Sequence, residues 1–183
     1  MSQVGALFKT TYFLFLFFTY FLFNLLTQKP ICSWWELFGM YPLNTKFLVV
    51  DDHPSMRIFV KEILREMGYF NIIEATDGQK ALTVLKENAQ TENPVDFIIS
   101  DWSMPQLNGF EFLKIVRQTA PFKGLPFMLV TGERDQQLII DAAKAGVSDY
   151  IIKPFSASKI KNKIEKIYLK NLTGFVNHLK KSA

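Results

Sequence analysis

Cysteine is nearly missing: Cys32 is the only one in 183 residues. No disulfide framework can form within the chain, which fits a reducing compartment without requiring one. An excess of one charge is missing too. Lysine and arginine number 21 against 17 acidic residues, and the net charge of +4 is spread along the chain. That leaves no basic block to track a phosphate backbone, and no nucleic-acid partner is expected. Charged residues make up 21% and hydrophobic residues 49%. This balance excludes a disordered polyelectrolyte and suits a globular fold.

The first 45 residues differ from the rest. Residues 10–28 carry no charge and include TTYFLFLFFTYFLFNLL. As a helix this hydrophobic extension would span about 28 Å, close to a hydrocarbon core of roughly 30 Å. No small-x-small cleavage site follows it, which argues against a signal peptide. Two readings stand: a transmembrane anchor at 10–28, which would add a membrane partner, or sequence upstream of a true start at Met40. One lysine flanks each side, so orientation is not encoded.

From Lys46 onward short apolar runs alternate with helical patterns. The run at 47–50, FLVV, shows no polar alternation and predicts a strand buried on both faces. Met56, Val60, Ile63, Leu64 and Met67 recur at helical spacing, and Gly68 suits a C-cap. Strands are expected next at 71–75, 97–100, 127–130 and 150–152. Helices are expected at 78–87, after Asn108-Gly109 (marked by Phe110, Leu113 and Val116), at 138–145 and at 158–170. Five strands alternating with five helices predict an α/β fold with a five-stranded parallel sheet covered on both faces. The domain is expected to span 46–170, with 171–183 a C-terminal tail.

Ligands of such sheets bind beyond the carboxyl ends of the strands. The polar residues stand there: Asp51, Asp52, Asp101, Thr131 and Lys153. One aspartate at a strand end usually caps a helix. Three converging carboxylates repel one another, and a hard divalent cation with oxygen ligands, Mg²⁺, resolves the repulsion. Phosphoryl transfer to a carboxylate needs a nucleophilic oxygen, a metal and further positive charge. Asp101 can be the nucleophile, and Asp51 and Asp52 can hold the metal. Lys153 and the Thr131 hydroxyl can meet phosphoryl oxygens. His53 is read as a surface residue rather than a ligand, and His178 as solvated.

VVDD at 49–52, ISDWSMPQLNG at 99–109, LVTGE at 129–133 and YIIKPF at 150–155 resemble the signatures of response-regulator receiver domains, in order and spacing. Trp102 and Ala142-Ala143 before Ala145-Gly146 are most similar to the single-domain chemotaxis regulators of that family. The resemblance implies a flavodoxin-like (βα)5 fold with strand order 2-1-3-4-5, an order already established for this family. It implies Mg²⁺ held by Asp52, Asp101 and the backbone carbonyl of Ser103, with Asp51 acting through water. It also implies a cis Lys153–Pro154 peptide and a switch pair, Thr131 and Tyr150. The phosphoryl donor would be a histidine kinase or phosphotransfer protein of a two-component system in the cytoplasm. Two departures stand out. Ser103 replaces a longer amide side chain and, with Glu133, flanks the water path to the phosphoryl group, so the resemblance sets no phosphoryl lifetime. Asp135-Gln136 replace a lysine pair, so it does not carry the flagellar-motor partner either.

The 30 residues after Lys153 leave no room for a DNA-binding helix-turn-helix. Output is therefore expected by binding an unnamed protein through the fourth helix, fifth strand and fifth helix, with Ile139, Tyr150 and Lys163 on that face. Lys159, Lys163, Lys166 and Lys170 fall on one side of the last helix and Ile160, Ile164 and Ile167 on another. A competing reading is an Asp-nucleophile phosphatase of the haloacid-dehalogenase type. That enzyme would need Asp-x-Asp at the first strand, where this chain has Asp51-Asp52. A third is a membrane-tethered interaction protein. The sequon at 171–173 is set aside, because phosphodonors are cytosolic.

Overall fold

A computed structural model describes residues 40–132 and 136–182. Side chains are described up to Thr173. The expected span at 10–28 and the residues Glu133 and Asp135 lie outside this set. Among the described residues no helix is long and apolar enough to cross a membrane.

The elements run β1 (Phe47–Val50), α1 (Pro54–Glu66), β2 (Ile72–Ala75), α2 (Gly78–Asn88) and β3 (Phe97–Asp101). They continue with α3 (Gly109–Gln118), β4 (Phe127–Thr131), α4 (Gln136–Lys144), β5 (Asp149–Ile152) and α5 (Ala157–Ser182). The strands form one parallel sheet in the order β2-β1-β3-β4-β5. Val50 sits beside both Ala75 and Ser100, and Asp101 beside Val130. This register lines up the carboxyl ends of the central strands.

The period of two along each strand divides the core. Phe47, Val49, Phe97, Ile99, Met128 and Val130 meet α1 and α5 on one face, through Val60, Ile63, Leu64, Ile160, Ile164 and Ile167. Leu48, Val50, Ile98, Phe127 and Leu129 meet α2, α3 and α4 on the other, through Ala81, Leu85, Phe112, Leu113 and Ala142. All four residues of β1 are buried, as a strand covered on both faces requires.

Local chemistry sets the helix ends. Asp77 caps α2 by accepting from the Lys80 N–H, and Asn108 caps α3 by accepting from the Glu111 N–H at 2.8 Å. Gly68 takes φ +90° after α1, where a side chain would be strained. The inward faces follow the periodicity. Phe112 is fully buried in the core, while Phe110 packs half-buried against it and stacks on Trp102, with centroids 5.2 Å apart.

Two expected boundaries also move. The tail at 171–183 is helical through Ser182, because α5 does not stop at Lys170. Leu172 packs against the core, and the Asn171 amide donates to the Tyr41 hydroxyl at 3.3 Å. The same contact brings the core forward of Lys46: Tyr41 is buried, edge-on to Phe97 at 5.3 Å and to Tyr168 at 4.8 Å.

Candidate functional site

Asp51 follows β1 directly, Asp101 closes β3, Thr131 closes β4 and Lys153 follows β5. The backbone holds these ends in line. The Asp51 N–H donates to the Ala75 carbonyl at 3.2 Å, that of Trp102 to Val130 at 2.8 Å, and that of Lys153 to Thr131 at 2.7 Å. The Lys153–Pro154 peptide is cis. Gly109 lets α3 start against the site. A Cβ there would lie 1.9 Å from the Asp101 carbonyl oxygen, so only glycine fits this close approach.

Lys153 gathers the carboxylates. Its Nζ lies 2.6 Å from Asp101 Oδ1 and 3.2 Å from Asp51 Oδ2. Asp101 Oδ2 accepts from the Ser103 N–H at 3.1 Å, and Asp51 Oδ1 from the His53 N–H at 2.8 Å. Both aspartates are buried, while the Lys153 side chain keeps 24% of its surface exposed. The difference decides their titration. Burial pushes the Asp101 carboxyl above its ordinary pKa, outweighing the hydrogen bond from Lys153; the charge on Asp51 pushes the same way. Burial also opposes the Lys153 charge. At this less buried group, however, the bonds and charges of Asp101 and Asp51 win and raise its pKa. A buried carboxylate is thus kept beside a firmly protonated cation.

Asp52 is half-buried, with its Oδ1 2.7 Å from His53 Nδ1. Arg57 is the residue that sequence reasoning missed. Its guanidinium donates to the Asp51 carbonyl at 2.8 Å and, through Nε, to Glu74 at 3.0 Å, where Lys61 also binds. It thereby ties the acidic turn to β2. Its only signal was its place one turn into a helix after the acidic pair, which reads equally well as a solvated charge.

The donor set suits a hard cation, since oxygens of Asp51 and Asp52 converge on the same edge. One ligand atom from each of Asp51, Asp52 and His53 lies within 4.8 Å of the others. Thr131 is buried, Tyr150 half-buried in β5 and Ile139 half-buried on α4. Lys163 is not a free surface charge: it pairs with Asp149 at 2.5 Å and lies 5.3 Å above the Tyr150 ring. Lys166 reaches the other oxygen of Asp149 at 3.1 Å. The expected basic stripe is therefore partly neutralised, although Lys159, Lys166 and Lys170 stay exposed.

Residues 47–165 match the response regulator receiver domain. The chain belongs to the response-regulator receiver family. It is 43% identical over 125 residues to the chemotaxis protein CheY-3 of Vibrio cholerae, covering 68% of this chain and 92% of that protein. It is also 43% identical to the chemotaxis protein CheY of Pseudomonas aeruginosa, covering 67% and 95%. Among solved structures, Vibrio cholerae CheY4 superposes with a TM-score of 0.59 at 31% identity, over 67% of this chain and 98% of that one. The receiver is accordingly a phosphorylation-dependent signalling switch. This sets aside the haloacid-dehalogenase alternative.

Proposed function

We propose that the receiver accepts a phosphoryl group on Asp101 from the phosphohistidine of a histidine kinase or phosphotransfer protein. The observation that carries this reading is the lysine bridge: Lys153 joins buried Asp101 to buried Asp51 at the strand ends. A carboxylate oxygen of Asp101 forms a bond to phosphorus as the donor's P–N bond breaks. The electron pair leaves with the donor imidazole, which keeps one proton on its ring. Lys153, held protonated, then exchanges part of its pairing with Asp101 for a phosphoryl oxygen. The Thr131 hydroxyl donates to another.

Asp52, Asp101 and the Ser103 backbone carbonyl are the residues that would hold Mg²⁺, with Asp51 acting through water. When bound, Mg²⁺ supplies positive charge to the transferring oxygens. Water attack on the acyl phosphate returns the free carboxylate, so the receiver supports its own dephosphorylation.

The readout is a partner protein on the face of α4, β5 and α5. Thr131 and Tyr150 report the phosphoryl group to that face, which carries Ile139 and Lys163. The contact of Lys163 with the Tyr150 ring supports its membership of the face. The names of the CheY relatives support a chemotaxis pathway, and the donors place the reaction in the cytoplasm. The test is incubation with acetyl phosphate and Mg²⁺, with the modified residue mapped by mass spectrometry. Labelling is expected at Asp101 and absent from Asp101→Asn. Full labelling of that variant overturns the assignment.

A further inference from the structure

His53 stands between the acidic pair and α1. It is the N-cap residue of that helix, yet its side chain makes no capping hydrogen bond. The ring turns to the carboxylates instead, with Nδ1 2.7 Å from Asp52 Oδ1 and 3.5 Å from Asp51 Oδ1. The side chain is 70% exposed, so an ion or water can reach the ring freely.

An octahedral ion with bonds of about 2.1 Å holds neighbouring donors roughly 3 Å apart and opposite donors roughly 4.2 Å apart. The three donors of Asp51, Asp52 and His53 all lie within 4.8 Å of one another, which is the spacing of a chelate. Two of them are carboxylate oxygens, which serve Mg²⁺ and borderline ions alike. The imidazole nitrogen does not: it suits nickel, zinc and copper, whereas Mg²⁺ selects oxygen.

We propose that His53 gives the acidic site a nitrogen ligand and so tilts its preference from Mg²⁺ toward borderline divalent transition-metal cations. The inference rests on the reading that Asp51 and Asp52 hold a divalent cation, and it names the residue that sets which one. Such an ion shares Asp52 with Mg²⁺, so the two compete for the site.

Isothermal titration of the full chain with NiCl₂ and with MgCl₂ tests this, using His53→Ala and His53→Asn. Asparagine can keep a hydrogen bond to Asp52 but offers no imidazole. In both variants Ni²⁺ affinity is expected to fall about tenfold or more, while Mg²⁺ affinity changes by less than about twofold. Asp52→Asn is expected to weaken both ions. Unchanged Ni²⁺ affinity in His53→Ala overturns the proposal. So does full retention in His53→Asn, since the ring would then only be a hydrogen-bond partner. Ni²⁺ binding untouched by Asp52→Asn also overturns it, because the ion would then sit elsewhere, His178 included. If Mg²⁺ itself fails to bind the unmutated chain, the reading of the acidic site falls, and the inference with it.

Discussion

The two ends of the sheet are built from opposite materials. At the amino ends β1, β3 and β4 each begin with a fully buried phenylalanine, Phe47, Phe97 and Phe127. Phe47 lies 5.2 Å from Phe97 and 4.9 Å from Tyr69, and Tyr41 closes over Phe97. At the carboxyl ends the same strands lead into Asp51, Asp101 and Thr131, which are equally buried and polar. One end buries what water rejects, and the other buries what water would hold. Stability therefore concentrates at the amino end. The carboxyl end buries its carboxylates at a cost.

Two aspartates sharpen the contrast. Asp149 begins the edge strand β5, where the three central strands begin with phenylalanine, and α5 lysines reach over it. Burial would raise its pKa, but bonds from Lys163, the Tyr150 N–H and Lys166 overcome that and hold it below the ordinary 3.8. Asp101 also has a lysine, yet burial wins and its pKa rises. A charge at the amino end is favoured by its surroundings; the one at the carboxyl end is opposed by its burial.

The largest stability loss is expected at the aromatic end. Phe97→Ala removes a fully buried ring packed against Phe47 and Tyr41 and should cost about 3–5 kcal/mol, read from urea unfolding. A loss below about 1 kcal/mol would break the assignment of stability to that end. Next comes Gly109→Ala. Its methyl group would meet the Asp101 carbonyl, so a cost of about 2–3 kcal/mol is expected, together with weaker labelling at Asp101 as the backbone shifts. Normal labelling in a stable variant would show that α3 can back away.

Asp149→Asn is expected to cost on the order of 1 kcal/mol at neutral pH. The sign follows from its depressed pKa: the contribution is complete above the unfolded value, 3.8, and is lost as pH falls through the lower folded value. The gap between wild type and variant should therefore begin to narrow below about pH 4, and a gap that stays constant down to about pH 2 would assign the effect to packing. The smallest stability change belongs to Asp101→Asn. Folding disfavours the Asp101 charge, so its removal should leave the thermal midpoint unchanged or raised, in metal-free solution at neutral pH. A loss above about 2 kcal/mol would mean that the Lys153 pair stabilises the fold outright.

Much of this was legible in the sequence because it depends on period and punctuation. Strand β1 reads from FLVV, α1 from the recurrence of Val60, Ile63 and Leu64, and the turn after it from Gly68. The site reads because chain ends of parallel strands converge, so Asp51, Asp101, Thr131 and Lys153 could be grouped before any distance was known. Phe110 and Phe112 could not be ranked, since two aromatics straddle one helix face and only the contact with Phe127, at 5.3 Å between rings, selects Phe112. Tyr41 was missed because it precedes the first strand without any periodic pattern.

The sequence by itself determined the alternation of five strands and helices, the apolar faces and the cluster of polar residues at strand ends, because local periodicity and turn chemistry need no partner. Tertiary structure alone decided which carboxylates Lys153 joins, that Lys163 is spent on Asp149, that Arg57 ties the acidic turn to β2 and that α5 runs on to Ser182. Each of these depends on a distance between residues far apart in the chain, and its energy exists only once folding has removed the water between them.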